Sequence, residues 1–161
     1  MNTIQLIAAC ALLAAATAGF SHENTGHHGH TDAAPQQQAW GIAGDAARAT
    51  RTITLRMTDD MRFAPAHFSV RQGETVRLRV ENKGQVLHEV VLGTQASLDE
   101  HAAMMREQPG MEHGEAHMAH VKPGRKGDLV WHFNRAGRFD FACLVPGHFE
   151  AGMRGSFTVT P

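Results

Sequence analysis

The sequence predicts an all-β domain, an antiparallel sandwich or barrel, on three observations. Seven short stretches between residues 51 and 160 alternate apolar or β-branched side chains with polar ones at a period of two. Turn signals such as Asn82-Lys83-Gly84, Lys122-Pro123-Gly124 and Ala136-Gly137 separate them. A single segment, near residues 98–107, carries helix start and stop signals instead.

Taken in chain order, residues 51–57 (RTITLRM), 67–70 (HFSV) and 75–80 (TVRLRV) show the alternation most plainly, because their branched or aromatic members fall on one face. Residues 86–92 (VLHEVVL) and 129–133 (LVWHF) follow as strands, and Trp131, in a core strand, is a packing residue. Residues 138–143 (RFDFAC) and 155–160 (GSFTVT) complete the set. His67 and His132 fall on ordinary strand faces. Between the fourth and fifth strands, Ser97-Leu98-Asp99-Glu100 has the spacing of a capping box and starts a short helix that Pro109-Gly110 stops.

The chain has 161 residues, enough for one domain of roughly 100 to 150 residues with a leader or tail to spare. Its formal charge of -1 provides no basic excess with which to hold phosphates, so nucleic acid is not an expected partner. An apolar run over residues 4–18 ends in Ala16-Thr17-Ala18, the small-x-small pattern of a signal-peptidase site, so residues 1–18 read as a signal peptide and the mature chain as exported to the periplasm. At about fifteen residues the run is shorter than the roughly 20 needed to span a bilayer, and no stable membrane insertion is expected. Ile7-Ala8-Ala9-Cys10 has the look of a lipoprotein box, although the apolar stretch continues past Cys10. Residues 19–50 are read as a flexible His-rich tail, with the folded domain over 51–161 and an insertion at about 94–122.

Twelve His and eight Met stand against two Cys and no Tyr, a composition rich in nitrogen and thioether donors. With the leader removed, Cys143 is the one cysteine left, so no internal disulfide forms despite an oxidising compartment. A lone cysteine is by itself an unreactive small hydrophobe. Here its neighbours decide otherwise: in C-L-V-P-G-H-F-E-A-G-M, Cys143, His148 and Met153 follow at five-residue intervals, and His88 lies upstream on its own strand. One thiolate, two imidazoles and a weak thioether make the ligand set of a mononuclear copper site able to exchange one electron. Zinc is the competing metal, since a thiolate with two imidazoles also suits it.

These residues carry a family resemblance. Met61-Arg62-Phe63-Ala64-Pro65, Phe68-Ser69-Val70, Gly73-Glu74-Thr75-Val76 and Asn82-x5-His88 resemble the N-terminal half of a plastocyanin or azurin-like cupredoxin, and the Cys143-x4-His148-x4-Met153 loop is similar to its ligand loop. Over residues 51–161 the resemblance implies a Greek-key β-sandwich with copper at one end. It makes His88, Cys143 and His148 the equatorial ligands and Met153 the axial one. Glu89 departs from the Asn that often follows the first His ligand in plastocyanins. Multicopper oxidases flank the ligand Cys with histidines, whereas Ala142 and Leu144 flank Cys143, and with no hydrolytic or phosphate-binding motif the chain is read as a non-enzyme.

Two functions use such a site: a diffusible electron carrier with a periplasmic redox partner, or a protein of copper tolerance. His22, His27, His28 and His30 would capture Cu(II), and His101, Met104, Met105, Met111, His113, His117, Met118 and His120 supply a second set of donors. If helical, His101 and Met105 share a face, as do His113 and His117. Otherwise the tail is a solvated linker and the insertion a lid whose methionines pack on the sandwich. The combination resembles the periplasmic copper-tolerance cupredoxins, which implies copper handling as the function.

Overall fold

A computed structural model describes residues 35–108 and 114–161. Ten strands run as β1 (Ile42–Ala43), β2 (Arg51–Thr58), β3 (Arg62–Ala64), β4 (His67–Arg71), β5 (Thr75–Asn82), β6 (His88–Gly93), β7 (Met118–Val121), β8 (Lys126–His132), β9 (Gly137–Ala142) and β10 (Arg154–Thr160). A 3-10 turn, Ala46–Arg48, follows β1, and one helix, α1 (Gln95–Glu107), lies between β6 and β7. The strands form two five-stranded sheets in the orders β1-β8-β5-β2-β3 and β4-β10-β9-β6-β7. Neighbours within each sheet are mostly distant in sequence, the mark of Greek-key crossovers.

Both sheets send their apolar rows into one core. Leu55 and Met57 from β2, Val76, Leu78 and Val80 from β5, and Leu129 and Trp131 from β8 meet Phe68 and Val70 from β4, Val90 and Leu92 from β6, Phe141 from β9 and Phe157 and Val159 from β10. This is the all-β sandwich that the alternation predicts, with one difference. The β2/β5 and β4/β10 pairs are parallel rather than antiparallel. The chain leaves β2, builds β3 and β4, and returns to the first sheet as β5, the kind of crossover a parallel pair requires in place of a hairpin.

Strand β6 is buried at every position, so it shows no alternation. Its Val90 and Leu92 face the main core, whereas Val91 joins a second cluster with Leu98, Ala102 and Met105 of α1, Met118 of β7, and Ala142, Leu144 and Phe149. The insertion therefore covers the outer face of the second sheet. Leu98, Ala102 and Met105 recur at the spacing of one helix face. The helix begins three residues earlier than the sequence signal suggests, because Ser97 sits at N3 and Thr94 is the cap. Ser97 N–H donates to Thr94 Oγ1 at 3.1 Å and Thr94 N–H donates to Ser97 Oγ at 2.9 Å.

The last part of the stretch 19–50, read from the sequence as tail, is folded onto the domain. Trp40 is buried, its carbonyl accepts from Trp131 Nε1–H at 3.0 Å, and Ile42 and Ala43 pair with His132 and Trp131 of β8. Gly41 permits that approach: at φ +129° a Cβ would meet the His132 carbonyl and Trp131 Nε1 at 2.5 Å. A large apolar side chain in a polar stretch is the signal for this docking, since burying a Trp outweighs ordering a few residues.

Candidate metal centre

The centre is built where two strand ends and one loop meet. His88 opens β6, Cys143 follows the last residue of β9, and the loop 143–153 leads into β10. The loop is held by its own backbone: Cys143 N–H donates to the Met153 carbonyl, Met153 N–H to the His148 carbonyl and His148 N–H to the Val145 carbonyl, at 2.9 to 3.0 Å. Gly147 and Gly152, at φ +89° and +87°, make the two bends.

These elements bring His88, Cys143 and His148 together, one donor atom of each lying within 4.8 Å of the others. Cys143 Sγ is 3.3 Å from His148 Nδ1, and the two imidazole rings are 4.9 Å apart. His88, Cys143 and Met153 are fully buried, and His148 is partly exposed. Burial pushes the Cys143 thiol up to about 12, opposed by the Glu89 N–H that donates to its sulfur at 3.4 Å. Burial, reinforced by the neighbouring His88, likewise holds His148 below the ordinary imidazole range.

The His88 ring is fixed from outside. Its Nε2 is 3.0 Å from Asp59 Oδ1, while its Nδ1 is buried with no hydrogen-bond partner among the described residues. Asp59 also accepts from Gln85 N–H at 2.7 Å, and that bond first, then the His88 contact, lowers its carboxyl below the usual range. Gly84 leaves the room, since a Cβ there would collide with the Asp59 carboxylate. A carboxylate that takes Nε2–H leaves the Nδ1 lone pair for a metal, the arrangement by which metal-binding histidines are oriented. An orphaned imidazole nitrogen, a second imidazole and a buried sulfur around one point fit a soft or borderline ion such as copper or zinc.

Glu89 is the residue next to this site whose role the sequence does not reveal. Its side chain is buried, accepts from Leu144 N–H through Oε1 at 2.8 Å, and lies 2.6 Å from His120 Nε2 through Oε2. Asp59 is likewise invisible in sequence, being 29 positions from His88. The hints at Glu89 are its departure from the Asn often found at this position and a carboxylate inside a largely apolar run.

The remaining predicted donors are dispersed. Met105 and Met118 are buried in the second cluster with Leu98 and Phe149, as packing residues. Met104 is exposed and His101 partly so. His117 lies in a turn before β7 rather than on a helix, because residues 118–121 pair with β6. Its ring stands 5.5 Å from Trp40 and 6.2 Å from Trp131, with Glu115 3.4 Å away. His120 is engaged by Glu89. His67 and His132 occupy strand faces as expected, bonded to Ser156 and Thr75 hydroxyls at 3.0 Å. His22, His27, His28, His30, Met111 and His113 lie outside the described residues.

The family model of copper-binding proteins of the plastocyanin/azurin family matches residues 50–160. The chain is similar to a copper-resistant cuproprotein CopI of Rubrivivax gelatinosus, 48% identical over 92% of this chain and 89% of that one. It is also similar to a copper-resistant cuproprotein CopI of Pseudomonas aeruginosa, 36% identical over 77% and 84%. Among solved structures, auracyanin B superposes with a TM-score of 0.62 at 24% identity over 75% of this chain and 95% of that chain. An azurin from Methylomonas sp. strain J superposes with a TM-score of 0.57 at 19% identity over 70% and 100%. The sandwich, the buried thiol between two imidazoles and the match over nearly the whole folded part agree: this chain belongs to the copper-binding proteins of the plastocyanin/azurin family.

Proposed function

We propose that this chain handles copper in the periplasm and contributes to copper tolerance, through a mononuclear site that His88, Cys143 and His148 would hold together with Met153. The observation that carries it is the buried His88-Cys143-His148 cluster with its orphaned Nδ1. The 48% identity to a copper-resistant cuproprotein supports tolerance as the purpose, and the leader over residues 1–18 supports export. Copper bound there supplies one-electron exchange between Cu(I) and Cu(II).

The chain's own residues prepare the place. Cys143 gives up its thiol proton when it becomes a ligand. Asp59 holds the Nε2–H of His88 so that Nδ1 faces inward, and Met153, buried at the end of the ligand loop, offers its thioether. No group is assigned a catalytic step. A diffusible electron carrier is the second reading, favoured by the partial exposure of His148 and by Val86 and Leu87, exposed apolar residues just ahead of His88.

The test is a titration of metal-free mature protein with Cu(II), following the thiolate-to-copper absorption band together with bound metal, in wild type and Cys143→Ala. A band saturating at one copper, with further copper bound afterwards and retained in the variant, supports tolerance. Saturation at one copper and nothing further favours the carrier. The absence of a band overturns the site.

A further inference from the structure

Three separate contacts join the insertion to the loop that carries Cys143 and His148. Leu144 and Phe149 of the loop are buried in the cluster made by Leu98, Ala102 and Met105 of α1 and Met118 of β7. Arg106 near the end of α1 pairs with Glu150 at 3.0 Å, and Glu150 accepts from Gly147 N–H in the bend before His148. That pair is exposed and contributes little by itself.

The third contact runs through Glu89. In the β6/β7 register Glu89 stands opposite His120 and Val91 opposite Met118, so Glu89 and His120 share the face that the insertion covers. The Glu89 carboxylate reaches His120 with one oxygen and the Leu144 N–H with the other, while its own backbone N–H donates to Cys143 Sγ. A buried carboxylate is stable only when its oxygens are satisfied, and among its partners one comes from the insertion and one from the residue after the ligand cysteine. His120 is thus one of the groups that fix the carboxylate whose other oxygen accepts from Leu144 N–H, and its loss loosens that oxygen's position.

Resting on the reading of Cys143 as a copper ligand, we propose that Glu89 is a positioning residue for the ligand loop and that His120 holds it in place. Through this pair the insertion sets the balance between Cu(II) and Cu(I) at the centre. The insertion thereby has a role at the main site that does not depend on its binding any metal.

The test combines a metal-free and a loaded readout in Glu89→Ala, Glu89→Gln and His120→Ala. In metal-free protein, Leu144 amide hydrogen exchange is expected to be at least about tenfold faster in Glu89→Ala and His120→Ala than in wild type, and near wild type in Glu89→Gln, which keeps an oxygen acceptor. In loaded protein, Glu89→Ala is expected to shift the ratio of Cu(II) to Cu(I) affinity by about tenfold, which is about 59 mV for one electron, with Glu89→Gln restoring most of it. His120→Ala replaces a partly exposed side chain and keeps the test open should Glu89→Ala not fold. Unchanged Leu144 exchange in His120→Ala, or Glu89→Gln behaving as Glu89→Ala in both readouts, overturns the proposal. A wild type without a thiolate-to-copper band would instead overturn the copper site, while the exchange measurement still judges the Glu89 contacts.

Discussion

Asp59 and Cys143 would bear on the proposed copper site in different ways, one through a hydrogen bond to His88 and the other through its thiol proton. Asp59 takes the Nε2–H of His88 and is itself tied down by Gln85 N–H. Asp59→Ala removes that orientation and is expected to weaken Cu(II) binding about 10- to 100-fold, the usual cost of losing an outer partner of a metal-binding His, as measured by competition with a chromophoric chelator. The Cys143 thiol, raised to about 12 by burial, is protonated at neutral pH in the metal-free protein, whereas His148, lowered by burial, is already neutral there. With Cys143 as the proposed copper ligand, binding is expected to release one proton from its thiol, and affinity to rise about tenfold per pH unit between pH 7.5 and 9.5. Calorimetry in buffers of different ionisation enthalpy counts that proton, and Cys143→Ala should release none. Cys143, His148 and Met153 are legible in the sequence because they share one short loop. Asp59 is not, since nothing local distinguishes it from any other turn aspartate.

At the scale of elements, the insertion is a structural layer over the second sheet. Its helix buries Leu98, Ala102 and Met105 against Val91, Ala142, Leu144 and Phe149. Leu98→Ala is expected to cost about 2 to 5 kcal/mol, from lost transfer energy and the cavity left behind, read by denaturant unfolding of the metal-free protein. An equally conservative change at the exposed Met104 should stay within about 0.5 kcal/mol. The sequence marks both ends of the helix nearly correctly, because capping residues and a Pro-Gly stop act locally. It leaves the state of His117 open because a strand of four residues, β7, carries too little alternation to be read. Strand β3, with three residues, escapes for the same reason.

For the molecule as a whole, the decisive packing is between the two sheets and at Trp40. Trp131 Nε1–H finds the Trp40 carbonyl, and the pairing of Ile42 and Ala43 with β8 extends the first sheet by one short edge strand. Trp40→Ala is expected to destabilise the protein by about 3 to 5 kcal/mol in thermal or denaturant unfolding, a loss that a solvated tail residue would not produce. The His88-Cys143-His148 cluster lies on strand ends of this sandwich, so its donors are placed by a core that the metal does not have to build.

By itself the sequence determined the all-β class, the strands with clear alternation, the helix and the candidate His88-Cys143-His148 cluster, because most of these are written in spacing that one element or one loop reads locally. The tertiary structure alone decided which polar groups surround those donors, which strands run parallel, and which methionines are spent on packing. Those outcomes depend on approach between segments far apart in the chain: Asp59 to His88, Glu89 to both Leu144 and His120, and Trp40 to Trp131. No periodicity encodes such pairs, since they arise only when strands distant in sequence pair within a sheet or, for Asp59 and His88, when the two sheets close on their shared core.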